Sequence, residues 1–195
     1  MRDLDVNQWI QFLRSGRYVL HATSRRVVRM RPKGDPSPCE LRSNDEPIEI
    51  LPPDSHWEAA QLARITGLLG STTGMTRFRA ASELRYLGTR DAAVALVRWY
   101  VALGAGDAVT ELRDGIFESP YPNDARSELE AALRSNVYFP DTMADTIAML
   151  ELKMEFVHRP PPADSQSRQA WANEYWGRFA VLREKYSAEI ARQRR

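Results

Sequence analysis

The chain has 195 residues, of which 43% are hydrophobic and 27% are charged, as expected for a protein that folds around an apolar core. Its 27 basic and 26 acidic residues leave a formal net charge of +1, which excludes a global field that would attract nucleic acid or an acidic membrane surface. No apolar run is long enough to cross a bilayer, so no membrane insertion is expected.

Prolines divide the chain into three segments. Six prolines precede residue 54, and none follows until Pro120. Because proline blocks helix interiors, the pattern predicts a β-strand segment over 1–53 and uninterrupted helical hairpins after it, over 54–158. The third segment, 159–195, begins with a proline-rich break and continues as a long amphipathic helix.

The first segment contains stretches rich in β-branched and apolar residues, which predict strands over 17–23, 25–31 and 46–51. Gly16 begins the pattern Gly-x-Tyr-x-Leu-x-Ala, which resembles a late strand of immunoglobulin-like or fibronectin-like sandwiches. There a tyrosine, here Tyr18, ties down a corner. A sandwich takes about seven strands, so either these strands pack on the helices or residues upstream of Met1 are missing.

The start of the second segment carries helix signals. Ser55 and Glu58 stand in the spacing of a capping box, and Gly70 is placed to end the helix that follows. Apolar residues then recur at helical spacing, and Gly115 is expected to interrupt one of the helices. The predicted helical phrases after Gly70 cover 75–87, 90–103, 106–119, 122–135 and 140–157.

Residues 79–99 read as two helical phrases joined by Leu-Gly-Thr. Gly88 is expected to end the first phrase in a left-handed conformation, and Thr89 to cap the second. The pattern resembles the HEAT repeat, in which the inner helix ends in Leu-Gly. The resemblance implies that small residues let helices approach and that an arginine ties neighbouring repeats together. The matching residues are Arg79, Ala80, Ala81, Leu84, Leu87, Gly88 and Asp91.

These patterns together predict a mainly α fold. Antiparallel helical hairpins would stack as a short HEAT-like array, preceded by a small N-terminal antiparallel β segment. A compact all-helical bundle is the alternative. The C-terminal helix carries an apolar stripe that either folds back onto the last helical pair or docks into a partner; its members are Trp171, Tyr175, Phe179, Leu182, Tyr186 and Ile190.

A HEAT-like array favours a non-enzymatic protein–protein interaction module or scaffold, with a protein or peptide as its partner. Arg98, Trp99 and Tyr100 are the candidate partner-binding residues if they are exposed, because arginine and aromatic side chains dominate binding hot spots. The alternative is that they form core or inter-repeat contacts.

The second candidate function is binding of a polyanion or nucleic acid. Residues 14–33 hold seven basic residues and no acid, and they read as a hairpin. Basic residues on a β-ribbon can hold a phosphate backbone, and the candidates are Arg25, Arg26, Arg29 and Arg31. A solvated sheet face, guarded by charge against further strand pairing, explains the same residues without a ligand.

No residue pattern points to catalysis, to a cofactor or to a metal. His21, His56 and His158 lie far apart without metal-ligand spacing, and Cys39 lies in a proline-rich loop with no neighbouring histidine. We therefore predict that the protein is not an enzyme. The rival is an enzyme whose pocket lies between the β segment and the helices.

The compartment follows from the first residues of the sequence. They carry early acids and no apolar core of a signal peptide, which predicts a cytoplasmic protein. If the chain is truncated upstream of Met1, a signal peptide could precede it and the protein would be exported.

Overall fold

The computed structural model describes residues 12, 14–29, 37–52, 54–135 and 139–193. The chain divides into two compact units, with residues 12–54 in one and the helices from residue 55 onward in the other. The described elements are β1 (Gly16–Leu20), β2 (Thr23–Arg29), β3 (Ser37–Arg42), β4 (Glu46–Ile50), α1 (Ser55–Leu69), α2 (Gly74–Leu87), α3 (Arg90–Leu103), α4 (Asp107–Glu118), α5 (Pro122–Arg134), α6 (Met143–Phe156) and α7 (Ser165–Gln193).

The predicted fold class, mainly α with a small antiparallel β segment, is confirmed for the described residues. Each predicted helical phrase corresponds to one helix, and consecutive helices pack against each other. Gly88 ends α2 with a φ of 67°, and the Thr89 side chain accepts a hydrogen bond of 3.1 Å from the Ala92 N–H. Both predicted caps are therefore confirmed.

The β unit is a bent two-stranded ribbon. β1 pairs with β4 and β2 pairs with β3, so β1 and β2 form one arm and β3 and β4 form the other. At the bend, the Ser43 N–H donates to the Ala22 carbonyl at 2.8 Å. The prediction of a basic hairpin over 14–33 is therefore wrong in its pairing, because β1 and β2 follow each other along the ribbon instead of facing each other.

The strand β3 lies where the sequence predicted a proline-rich loop. Pro38 pairs in register with Val28, and Cys39 with Val27. Both strands of a two-stranded ribbon are edge strands, and an edge strand tolerates the missing N–H of proline. Cys39 thus lies in a strand, where it is half-buried.

The start of β1 is held by Tyr18. Its hydroxyl donates to the Arg14 carbonyl at 2.8 Å, and its ring meets Phe12 edge-on with centroids 5.0 Å apart. These contacts fix the turn that leads into the ribbon. The resemblance to a sandwich strand stays a prediction, since the described sheets have two strands each.

Within the helical unit, helices two apart along the chain also pack together. α2 packs extensively on α4, and α3 packs on α5. The last helix, α7, packs on α6, and its apolar stripe turns inward. Leu182, Tyr186 and Ile190 are buried, while Trp171, Tyr175 and Phe179 are half-buried against the same core. The stripe therefore folds back instead of standing open for a partner.

Gly115 does not interrupt α4, contrary to the sequence prediction. It lies buried in a continuous helix. A Cβ at this position would lie 2.8 Å from Leu96 Cδ2 and 3.2 Å from the Arg85 Cα. Glycine fits here because α2, α3 and α4 approach so closely that a side chain would force Leu96 and Arg85 to shift.

Substitution of Gly115 by valine should lower the free energy of unfolding by about 1–3 kcal/mol, because the added methyl groups overpack the contact with Leu96 and Arg85. The measurement is urea unfolding followed by circular dichroism. The matched control is Gly67→Ala in α1, where a Cβ would meet nothing within 4 Å. That change should raise the unfolding free energy by roughly 0.5–1 kcal/mol through helix propensity. Equal effects at the two positions would contradict the close approach at Gly115.

Candidate functional site

The three candidate partner-binding residues of α3 do not share a surface. Tyr100 has no exposed area, Trp99 is half-buried, and Arg98 is exposed. Consecutive residues of a helix point about 100° apart, so one helix face cannot present all three. The condition of exposure is met by Arg98, is met in part by Trp99, and is not met by Tyr100.

Tyr100 is instead a structural link between α3 and α6. Its hydroxyl lies 2.7 Å from the Thr142 hydroxyl and 2.8 Å from the Thr146 hydroxyl. Thr146 donates its own proton to the Thr142 carbonyl at 2.9 Å. Tyr100 therefore donates to Thr146 and accepts from Thr142, which satisfies a polar group that burial would otherwise penalise.

Arg98 belongs to a set of ion pairs between helices two apart. It pairs with Glu128 of α5 at 2.7 Å, and Arg90 pairs with Asp124 at 2.6 Å. Between α2 and α4, Arg85 of α2 reaches the carboxylates of α4, among which Glu111 lies at 3.2 Å. The partners are Glu111, Asp114 and Glu118.

The arginine that ties α2 to α4 is not the one that the HEAT resemblance assigns. Arg79 is exposed, whereas the side chain of Arg85 is only 16% exposed. The hydrogen bond to Glu118 raises the pKa of Arg85, so its charge is permanent. The sequence did not distinguish the two residues, because both stand at helical positions that a period alone treats alike.

The basic candidates lie on one arm of the ribbon. Arg25 is exposed and pairs with Glu40 across the ribbon at 2.8 Å. Arg26 and Arg29 lie in β2, and Arg31 lies outside the described residues. The ladder is irregular between Ser24 and Val27. The charge of Arg25 is thus already paired with a carboxylate.

Charge is divided between the two arms of the ribbon. Residues 14–29, called arm 1 from here on, hold five arginines and no acid. Residues 37–50, called arm 2, hold four acids and one arginine. Arm 1 is therefore basic and arm 2 acidic, a separation that the overall charge of +1 conceals.

Sequence reasoning missed an apolar surface on the first helical pair. Trp57 and Leu68 of α1 are 54% and 37% exposed, and Met75 and Phe78 of α2 are 62% and 36% exposed. Residues 57, 64 and 68 share one face of α1 by their spacing, and Arg64 of that face pairs with Glu83 of α2. These four apolar side chains are called the α1–α2 surface below.

The helical period alone could not find the α1–α2 surface. It assigned Trp57, Leu68 and Phe78 to the apolar stripes that face the core. Among the described residues, part of the apolar side of α1 and α2 remains exposed. Large aromatic and methionine side chains that remain exposed are candidate contact residues.

The described residues show little that suggests a chemical site. A cavity of about 480 Å³ in the β unit is lined by Thr23, Ser24, Arg25 and Glu40. Among the described histidines, cysteines and carboxylates, no three are placed to hold a metal ion. No described helix combines the length and the apolar character needed to cross a membrane. The expectation that the protein is not an enzyme stays a prediction.

No protein-family model, curated protein or solved structure matches the chain. A functional assignment therefore depends on the surfaces described above. Of these, the α1–α2 surface is apolar and the ribbon is charged.

Substitution of Tyr100 by phenylalanine should lower the free energy of unfolding by about 1–2 kcal/mol, because it leaves the buried Thr146 hydroxyl without its donor. The Arg98→Ala variant, which removes an exposed ion pair, should cost about 0.5 kcal/mol or less. Chemical denaturation of both variants measures the difference. A larger effect at Arg98 would show that the surface pair, and not the buried hydroxyl network, links the helices.

Alkaline pH should weaken the fold partly through Tyr100. Burial raises the pKa of Tyr100, whereas the unfolded chain releases this proton near its ordinary pKa of about 10. The contribution is therefore full below about pH 10 and is lost as the pH rises above it. Between pH 8 and a pH above 10, the unfolding midpoint should fall more for the wild type than for Tyr100→Phe. An equal fall in both would contradict this role.

Proposed function

We propose that the helical unit is a short HEAT-like array that acts as a protein–protein interaction module. The α1–α2 surface is its contact site, and the partner contributes an apolar helix or peptide. Four exposed large apolar side chains on adjacent helices carry this proposal, since large apolar side chains that remain exposed are candidate contact residues.

The pattern of ion pairs supports an array. The Nε atoms of Arg85, Arg90 and Arg98 donate to carboxylates 33, 34 and 30 residues further along the chain, and Arg85 also donates to Glu111, 26 residues further along. Nearly constant separations are expected when similar helix pairs stack on one another. Such stacking makes a rigid frame, which lowers the entropy cost of presenting a contact surface.

The α1–α2 surface suits a partner of low charge. Trp57 and Leu68 are eleven residues apart, which spans about 16 Å of helix. Between them lies the ion pair of Arg64 with Glu83, whose charges compensate each other. An apolar helix of about three turns could cover this length while its flanking polar groups meet the paired charges.

The test compares full-length wild type with a Trp57→Ser, Met75→Ser variant by affinity capture from the native lysate at high salt. Any retained protein is then purified and titrated by calorimetry. We expect a partner that binds with a fixed stoichiometry and that loses about tenfold or more in affinity with the double variant, as hot-spot residues do.

The matched control is Trp176→Ser in α7, because Trp176 is 57% exposed and Trp57 is 54% exposed. This change should leave the affinity unaltered. A partner that binds the double variant as tightly as the wild type would refute the surface. Retention of nucleic acid alone, lost with salt and with Arg25→Glu, would favour the polyanion alternative.

A further inference from the structure

The two arms of the ribbon differ in their backbone N–H groups, which donate the hydrogen bonds of strand pairing. Arm 2 carries one proline in each strand, Pro38 in β3 and Pro47 in β4. Proline has no N–H to donate, and natural sheets use it at edges that should not recruit another strand. Neither strand of arm 1 contains proline, so every residue in β1 and β2 keeps its donor.

The outer edge of arm 1 has no strand partner within the described chain. There, β1 pairs with β4 alone and β2 pairs with β3 alone. A two-stranded ribbon is only marginally stable, and a third strand adds both hydrogen bonds and buried area. Val19 in β1 is 60% exposed, which offers an apolar contact beside the open main chain.

Charge indicates what kind of strand fits this edge. Arm 1 contributes five arginines without an acid. Arg17 faces Glu49 in the register, and Arg25 forms an ion pair with Glu40. The surplus of basic over acidic residues in the sequence of arm 1 favours carboxylates on an incoming strand.

We propose that the outer edge of arm 1 binds an extended acidic peptide segment of a partner protein as an added β-strand. Main-chain hydrogen bonds supply the affinity, and carboxylates on the peptide meet the arginines of arm 1. A second copy of the chain is a poor occupant, because its acidic arm carries Pro38 and Pro47. This site lies in the β unit and does not depend on the α1–α2 surface.

The test uses the full chain and a fluorescein-labelled peptide of five alternating glutamate–valine pairs, with binding followed by fluorescence anisotropy. Two control peptides isolate the causes. One has lysine in place of glutamate, and the other has N-methyl groups on alternate residues, which remove the N–H donors of one edge. Each control should bind about tenfold or more weakly than the probe, since it loses either charge attraction or main-chain pairing.

Variants of the chain locate the site. Arg14→Glu with Arg17→Glu should weaken binding of the glutamate–valine peptide about tenfold or more, because both exposed charges lie on arm 1. The matched control, Arg42→Glu, changes an exposed arginine of arm 2 and should have a smaller effect. Amide hydrogen exchange should slow in residues 16–29 when the peptide binds, with little change in residues 37–50.

Three results would overturn the proposal. Equal binding of the N-methylated peptide would mean that charge alone holds it. Tighter binding of a single-stranded oligonucleotide, sensitive to the same arginine variants, would make arm 1 a polyanion site. Self-association of the chain that Arg17→Glu abolishes, seen by sedimentation, would make a second copy the occupant. Melting curves of the variants that match the wild type establish that each still folds.

Discussion

Helices α2, α3 and α4 meet at Gly115, where a side chain would collide with Leu96 and with the backbone of Arg85. This approach holds Arg85 against α4, so its guanidinium is nearly buried and reaches three carboxylates. A buried arginine would be costly without such partners. The missing side chain of Gly115 thus leaves room for Arg85 beside the carboxylates of α4.

Helix α3 is joined to α5 and α6 by contacts of a different kind. Exposed pairs, such as Arg98 with Glu128, join α3 to α5 at the surface, while the Tyr100 hydroxyl joins α3 to α6 inside. Exposed ion pairs contribute little stability, so the buried contacts hold the layers and the surface pairs set their alignment.

The β unit buries much less of its surface than the helical unit does. Its strands bury one face in part, through residues such as Tyr18 and Ile48, and its edges remain open in the described chain. Arm 2 carries Pro38 and Pro47, which have no N–H to donate, and arm 1 carries most of the arginines. The two edges of the ribbon therefore differ in charge and in the number of backbone donors. The two units therefore offer surfaces of different chemistry, one apolar and one charged.

Local signals in the sequence determined the helices, because a cap such as Thr89, a terminator such as Gly88 and the apolar period act within a few residues. The tertiary structure decided the rest. Gly115 reads as a helix breaker until the neighbouring helices require it, and Pro38 reads as a loop until it lies in an edge strand. Arg98, Trp99 and Tyr100 read as one cluster until packing buries the tyrosine and leaves the arginine outside. The physical reason is that exposure, strand pairing and ionic partners depend on residues about 30 positions away, and no local pattern carries that distance.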